Sequence, residues 1–347
     1  MDEPLSGLSL KMNKPIDNNP PYIISAVDDV MYIVNTLIEK SVSTSQKGVI
    51  DNVIPGISAL LGMDFVGMIQ RKMKDESYPK PVVQGGYPPE EKIIAFIVLI
   101  NSLDMANEYI ARITSALLTP AADEHQSNGV GSRPLSLKDS FPFKNDAKEV
   151  AARLNSLNIS FSTKSNALLV EGIAVLFNQV IKQRLRPVLT DTFRDADYTL
   201  TEDELAELAA QNDMEKDELL EQTPRAFEHG WDRLMKPIER LMTPRTFTAV
   251  LDRTADYLAR ILEKRIWSYT GGRTSPDGAI RMARDFEKIV KTISKSNYSV
   301  RTLFERTKQI LEVANYEDDE WDEEVAADGA WILSDEEMRR ARTIVRN

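Results

Sequence analysis

Residues 90–118 read EEKIIAFIVLINSLDMANEYIARITSALL, and this stretch decides the fold. It contains no Gly or Pro and is too long for a strand, so it is a helix. Its run Ile93–Ile100 is apolar without interruption. A helix apolar around its whole girth lies among several neighbours, not on a surface. Phe96, Val98 and Leu99 point in different directions, and all three are expected in the core. The run is far shorter than the roughly 20 residues a membrane helix needs, so no transmembrane segment is expected.

Working outward, helical spacing recurs on both sides. Upstream, Val27, Val30, Met31, Val34, Leu37 and Ile38 step by three and four, with Ser25 and Asp28 resembling a capping box before them. A second helix is expected over Val49–Lys74, kinked or divided at Pro55 unless that residue lies in the first turn. Residues 79–89, with Gly85-Gly86 and Pro88-Pro89, form a connection. Residues 1–21 are a polar, Pro/Asn-containing leader, expected to be disordered and lacking the apolar run of a signal peptide.

Downstream, residues 119–143 read as a surface loop, followed by helices over 144–157 and 165–188. Residues 191–223 are acidic and poor in large apolar side chains. They read as a solvated helical linker between a bundle at 22–190 and another at 224–347, with Tyr198–Glu221 adding little to either core. Thr223-Pro224 and Thr243-Pro244 each place an N-cap residue before Pro at the first helical position. Leu251, Ala255, Leu258, Leu262, Ile266 and Tyr269 mark one helix face, and Gly271-Gly272 ends that helix. Two more helices follow at 276–296 and 300–316, the second with a packed stripe of Leu303, Thr307, Ile310 and Ala314. A last helix starts at Ser334 with Glu337 in its capping box. The expected fold is all-α, an elongated stack of antiparallel helical bundles.

Composition narrows the function. The 347 residues carry 43 basic and 54 acidic side chains, a net charge of −11. That field repels phosphate backbones, so nucleic acid is a poor partner. The absence of cysteine removes disulfides, thiolate metal sites and thiol nucleophiles, and fits a cytosol-facing protein.

Chemistry-bearing motifs are few. Asp318-Asp319-Glu320-Trp321-Asp322 is a D-D-x-x-D, a spacing that can hold Mg²⁺ against a diphosphate in isoprenoid enzymes. Such enzymes need a second metal motif, and at the nearest approach, Asn212-Asp213, Lys216 and Leu220 occupy the ligand positions. An acid-rich run meets the first pattern by chance, so a solvated acidic segment is the better reading. His125 and His229 are far apart in sequence and belong to no ligand pair. Arg253, Arg260, Lys264, Arg265, Arg273, Arg281 and Arg284 are interleaved with Asp252, Asp256, Glu263 and Asp285, the pattern of a salt-bridged face, with a docking patch for an acidic partner as the alternative. No catalytic residue, cofactor or metal is expected. A binding protein remains, either a tether or a generic helical adaptor.

Six stretches make this specific. VDDVMYIVNTLIEKSVSTS (27–45), IVLINSLDMANEYIARI (97–113), EGIAVLFNQVIKQRLRPVL (171–189), RILEKRIWSY (260–269), YEDDEW (316–321) and the element of Trp331, Leu333, Ser334, Glu337 and Arg339 resemble, in order, the C-terminal half of the subunit-four family of the conserved oligomeric Golgi complex. The version here looks fungal, and the resemblance runs from about Ala26 to Arg346. It implies membership of the helical-rod multisubunit tethers, which work at the cytosolic face of the Golgi in retrograde vesicle transport. They contact sister subunits, SNAREs, SNARE regulators and small GTPases. The family's subunit is about twice this length, and its N-terminal half has no counterpart here. The resemblance also implies that the closing helix lies beside the helix at 300–316. Arg306 could then reach Glu337, with Trp331 packed over the junction, and the alternative is that Glu337 serves only as the N3 residue of the cap at Ser334. Arg265 is a further candidate interaction residue.

Overall fold

The computed structural model describes residues 20–118, 137–143, 145–317, 321 and 330–345. Residues 1–19 of the leader, most of the expected loop at 119–143 and the D-D-x-x-D carboxylates lie outside them. The helices are α1 (Ala26–Ser43), α2 (Lys47–Glu76), α3 (Glu90–Leu118), α4 (Leu137–Ser140), α5 (Asp146–Leu176) and α6 (Lys182–Thr192). They continue with α7 (Glu202–Gln211), α8 (Lys216–Leu241), α9 (Pro244–Trp267), α10 (Pro276–Ile293), α11 (Glu305–Asn315) and α12 (Asp335–Arg342). The fold is all-α: no strand forms among the described residues, and β-pairing is limited to a bridge between Thr274 and Val345.

The chain forms two compact units. One comprises the described residues up to Val180 together with Ile238–Phe247. Its central helix is α3, in which Phe96, Val98 and Leu99 are all buried. α5 packs on α2 and α3 so closely that a Cβ on Gly172 would stand 2.6 Å from the Met73 methyl of α2 and 3.3 Å from Ile100 of α3. Two helices, α2 and α3, are long and apolar enough to cross a bilayer by length and composition alone. In α3 those apolar side chains form the core, and in α2 Ile50, Ile54, Ile57, Leu61, Phe65, Ile69 and Met73 face inward as well.

The buried faces of this unit also hold a polar network. Asn101, with no exposed surface, donates from Nδ2 to the carbonyls of Leu241 (2.7 Å) and Tyr22 (3.1 Å). Its Oδ1 accepts from the Thr243 amide at 3.1 Å. The Thr243 hydroxyl donates to Asp104 at 2.7 Å, and Arg245 reaches the other Asp104 oxygen at 3.3 Å. These bonds take up backbone groups freed where α8 stops and α9 starts, which would be costly if buried unpaired.

Four local expectations change. Ser25 is in the αR region and makes no side-chain cap, because capping needs an extended N-cap backbone, and Asp28 instead accepts from the Tyr109 hydroxyl. Pro55 lies in mid-helix without breaking α2, which widens into π-turns at Leu60–Phe65 and Lys72–Glu76. The helices expected at 144–157 and 165–188 are joined: α5 runs on through 158–164, where buried Phe161 and Ser165 hold a polar stretch in helical form. Pro224 lies inside α8, which starts at Lys216 with Asp217 and Glu218 in its first turn. Thr243 does cap α9, accepting from the Thr246 amide at 3.4 Å before Pro244.

The other unit comprises Ile181–Pro237 and the described residues from Thr248 on. It includes the whole acidic segment 191–223, which is more than a solvated strap. Tyr198, Leu205 and Ala209 are buried, and the Tyr198 hydroxyl donates to Asp285 Oδ2 at 3.0 Å. The Tyr198 carbonyl accepts from the Ser275 amide at 3.1 Å. It also lies 1.8 Å from where a Cβ on Gly278 would be, so the first turn of α10 requires glycine there. After α9, Gly271 and Gly272 take positive φ values of 88° and 70° and donate to the Thr343 carbonyl, anchoring the end of α12. The expected helix at 300–316 begins as a 3-10 turn, Tyr298–Phe304. Tighter winding changes the phase of the stripe, so Leu303 is exposed while Thr307, Ile310 and Ala314 are buried.

Candidate functional site

The strongest polar constellation on this second unit is an ion-paired clamp joining three helices. α9 supplies Glu263 one turn before its end, α11 supplies Arg306 in its first turn, and α12 supplies Glu337. Arg306 donates from Nε to both Glu263 oxygens (3.2 and 3.3 Å), and one terminal nitrogen also reaches Glu263 at 3.0 Å. That nitrogen bonds Glu337 Oε1 as well.

Glu337 carries two duties with its two oxygens. Oε2 accepts from the Ser334 amide at 2.8 Å while the Ser334 hydroxyl accepts from the Glu337 amide, a closed capping box. Oε1 is left for the guanidinium. The Arg306 bond first, and the Ser334 amide second, hold the Glu337 carboxyl down at about 2. The two carboxylates in turn push Arg306 above the usual guanidinium range.

Neighbouring contacts extend the clamp. The Trp267 indole donates to Glu263 at 3.3 Å, and the Arg340 guanidinium lies 4.6 Å over the Trp267 ring. Buried Gln309 donates to the Ala330 carbonyl and accepts from the Ile332 amide, fixing the backbone on either side of Trp331. Trp331 is half-buried, its ring 5.9 Å from Trp321, which lies 5.4 Å from Tyr316. The structure therefore places Arg306 and Glu337 together and seats Trp331 on the segment leading into α12.

Arg265 belongs to a different cluster of the same unit. Its guanidinium lies 4.0 Å over Phe193, which packs on Phe286 at 5.8 Å. Tyr269 meets Tyr198 edge-on, and beneath them is Asp285. Burial raises the Asp285 carboxyl to about 6, against the opposing pull of the Tyr198 hydroxyl and of Arg284, Arg281 and Lys288. Burial likewise raises the Tyr198 hydroxyl.

The face read as salt-bridged is so only in part. Arg260 pairs with Asp256 at 2.8 Å, whereas Arg281 and Arg284 donate to backbone carbonyls of Asp197, Leu200 and Leu220 in the acidic segment. Sequence reasoning missed Glu263 and Gln309 as clamp members. Glu263 had a signal, its i,i+4 spacing to Trp267, whereas the pairing of Gln309 with Ala330 and Ile332 had none. Among the described residues no group of three or more His, Asp or Glu is placed to hold a metal. His229 is exposed on α8, and His125 lies outside the described residues.

A family model described as "Conserved oligomeric Golgi complex subunit 4, C-terminal" matches residues 96–340. The chain belongs to this family. A second model, described as the middle alpha-helical bundle of the same transport protein, matches residues 1–73. Among curated relatives, conserved oligomeric Golgi complex subunit 4 of Arabidopsis thaliana is 26% identical over 322 residues, covering 91% of this chain and 39% of that protein. The Saccharomyces cerevisiae subunit is 21% identical over 280 residues, with coverages of 74% and 30%. The Mus musculus subunit is 21% identical over 319 residues, with coverages of 84% and 37%. The chain thus spans well under half the length of these relatives. All six stretches singled out in the sequence fall within the two family matches.

Proposed function

We propose that the chain acts as a non-catalytic scaffold of the Golgi vesicle-tethering complex, at the cytosolic face of the Golgi, in retrograde intra-Golgi transport. The observation that carries the reading is the subunit-four match over residues 96–340, the region that contains the Arg306 clamp. Helical surfaces of this kind work additively: each holds one partner, and several held together raise the effective concentration at which vesicle and target membranes meet. The partners are sister subunits of the complex first, and SNAREs, SNARE regulators and small GTPases beyond them. In this reading Arg306, Glu337 and Trp331 keep α12 in place as part of a docking surface, and Arg265 does the same for the acidic segment.

The test is affinity purification of the tagged full chain from cells, with quantitative scoring of the other Golgi-complex subunits and of SNAREs. Sister subunits should be enriched over an unrelated acidic helical protein, and Arg306→Ala should reduce that enrichment. Equal recovery with the control protein would remove the tether reading. Mg²⁺-dependent turnover of an isoprenoid diphosphate, abolished by Asp319→Asn, would replace it with the enzyme reading.

A further inference from the structure

Away from the clamp, α10 and α11 leave an open groove of about 940 Å³ between them. Ile280, Ala283, Val290, Phe304 and Leu311 supply its apolar floor, with Tyr298 at one end. Ile280 and Tyr298 are 62% and 74% exposed, so the groove ends in two large apolar side chains facing water. The helices are tied at both ends. Asn315 donates to the Ala279 carbonyl at 3.4 Å, and Arg301 donates to the Ser294 hydroxyl at 3.2 Å. The gap is therefore braced in place. From Ile280 to Val290 it follows α10 for roughly 15 Å, the length of about three helical turns.

Charge on the rim identifies what fits. Two basic side chains of the lining are turned to other partners, Arg284 to the Leu220 carbonyl and Arg301 to Ser294 and the Tyr298 ring, while the exposed Lys308 lies 3.8 Å from Glu305, beyond hydrogen-bond reach. Glu287 on α10 and Glu312 on α11 are exposed and make no hydrogen bond or ion pair among the described residues. Each wall of an apolar trough thus presents a carboxylate that has no direct partner among the described residues. We propose that this groove docks an amphipathic helix of a partner protein, with apolar side chains at i, i+3 and i+7 on the floor and Lys or Arg on both flanks to meet Glu287 and Glu312. It concerns a surface other than the clamp and does not rest on the clamp's role.

The experiment uses the full chain and two fluorescein-labelled helical peptides of about four turns with one shared Leu/Ile stripe, flanked by Lys in one and by Glu in the other. Fluorescence anisotropy at low salt should show the Lys-flanked peptide binding roughly tenfold more tightly, the gap narrowing as salt is added. Ile280→Glu should abolish binding, and Tyr298→Ala should weaken it. Glu287→Lys with Glu312→Lys should invert the peptide preference. Val170→Glu, an exposed change in the other compact unit, should leave both affinities alone. Circular dichroism melting confirms that each variant is folded, and for this exposed set it should stay near the parent value. Equal affinity for the two peptides, or indifference to Ile280→Glu and Tyr298→Ala together, overturns the proposal. So does a sedimenting dimer of the chain that Ile280→Glu dissolves, because the occupant would then be a second copy.

Discussion

Asn101 and Glu337 each hold separate pieces of chain with one short polar side chain, but in opposite surroundings. Asn101 has no exposed surface and serves three backbone groups. Glu337 serves a helix cap and an arginine with a third of its side chain in water. The number of bonds is similar, so the difference in environment separates them energetically. Water can replace a lost partner at Glu337, whereas at Asn101 the orphaned Leu241 carbonyl and Thr243 amide stay desolvated. The buried site helps specify the fold of its unit, and the half-exposed site is the cheaper of the two to break.

The largest effect tests the buried side of that comparison. Asn101→Ala leaves the Leu241 carbonyl and the Thr243 amide unpaired in the core, at an expected cost of ~3–5 kcal/mol in urea unfolding. Leu99→Ala, which deletes apolar volume from the same helix and no hydrogen bond, should cost ~2–5 kcal/mol through its cavity. If Asn101→Ala cost under ~1 kcal/mol, buried pairing would not distinguish the two sites.

How much of this was legible in the sequence follows the same division. α3 and the Ser334 capping box could be read directly, because apolar girth and S-x-x-E spacing are local signals. The Arg306–Glu337 contact was anticipated from family resemblance and not from spacing, since α11 and α12 meet only in the fold. Nothing local announced Asn101, because its partners at 22, 241 and 243 are remote and the residue itself carries no pattern. Tyr198 was hidden for a related reason. One aromatic in an acidic segment looks solvated until Asp285 and Gly278 are placed opposite it. Leu303 misled because the 3-10 turn breaks the 3.6-residue period on which the stripe was drawn.

Asp285 supplies the next effect, through pH. Its carboxyl is at about 6 when folded, against ~3.9 in an unfolded chain. The folded state therefore binds the extra proton between those values, and stability falls as pH rises through that window. The loss should be complete above pH ~7 and amount to ~2–3 kcal/mol. Asp285→Asn keeps an acceptor for the Tyr198 hydroxyl and removes the titration, so its stability should be flatter between pH ~4 and ~7. A parent protein whose stability rose across that window, with the variant flat, would mean that Arg284, Arg281 and Lys288 outweigh burial and hold the folded Asp285 carboxyl below its unfolded value.

The smallest effect belongs to the exposed member of the comparison, and it can be resolved into two parts. Ser334→Ala removes the cap alone and should cost ~1 kcal/mol. The Arg306–Glu337 pair is 36% and 33% exposed, so solvent screening limits its coupling to ~1 kcal/mol despite the low carboxyl pKa. Arg306→Ala should cost more than that coupling, because Glu263, at 23% exposure, then loses its bidentate partner. The sign with pH is opposite to that of Asp285. The folded Glu337 carboxyl is depressed to about 2, so its stabilisation is fully present above the unfolded value of ~4.3 and is lost as pH falls toward 2. A double-mutant cycle on Arg306→Ala and Glu337→Ala, measured by denaturant titration near neutrality and again near pH ~2.5, should show coupling in the first condition and a weaker value in the second. A coupling indistinguishable from zero near neutrality would reduce Glu337 to a helix cap, and α12 would then be held by its other contacts, among them buried Met338 and Ala341, Arg342 on the Val313 carbonyl and the glycine anchor at 271–272.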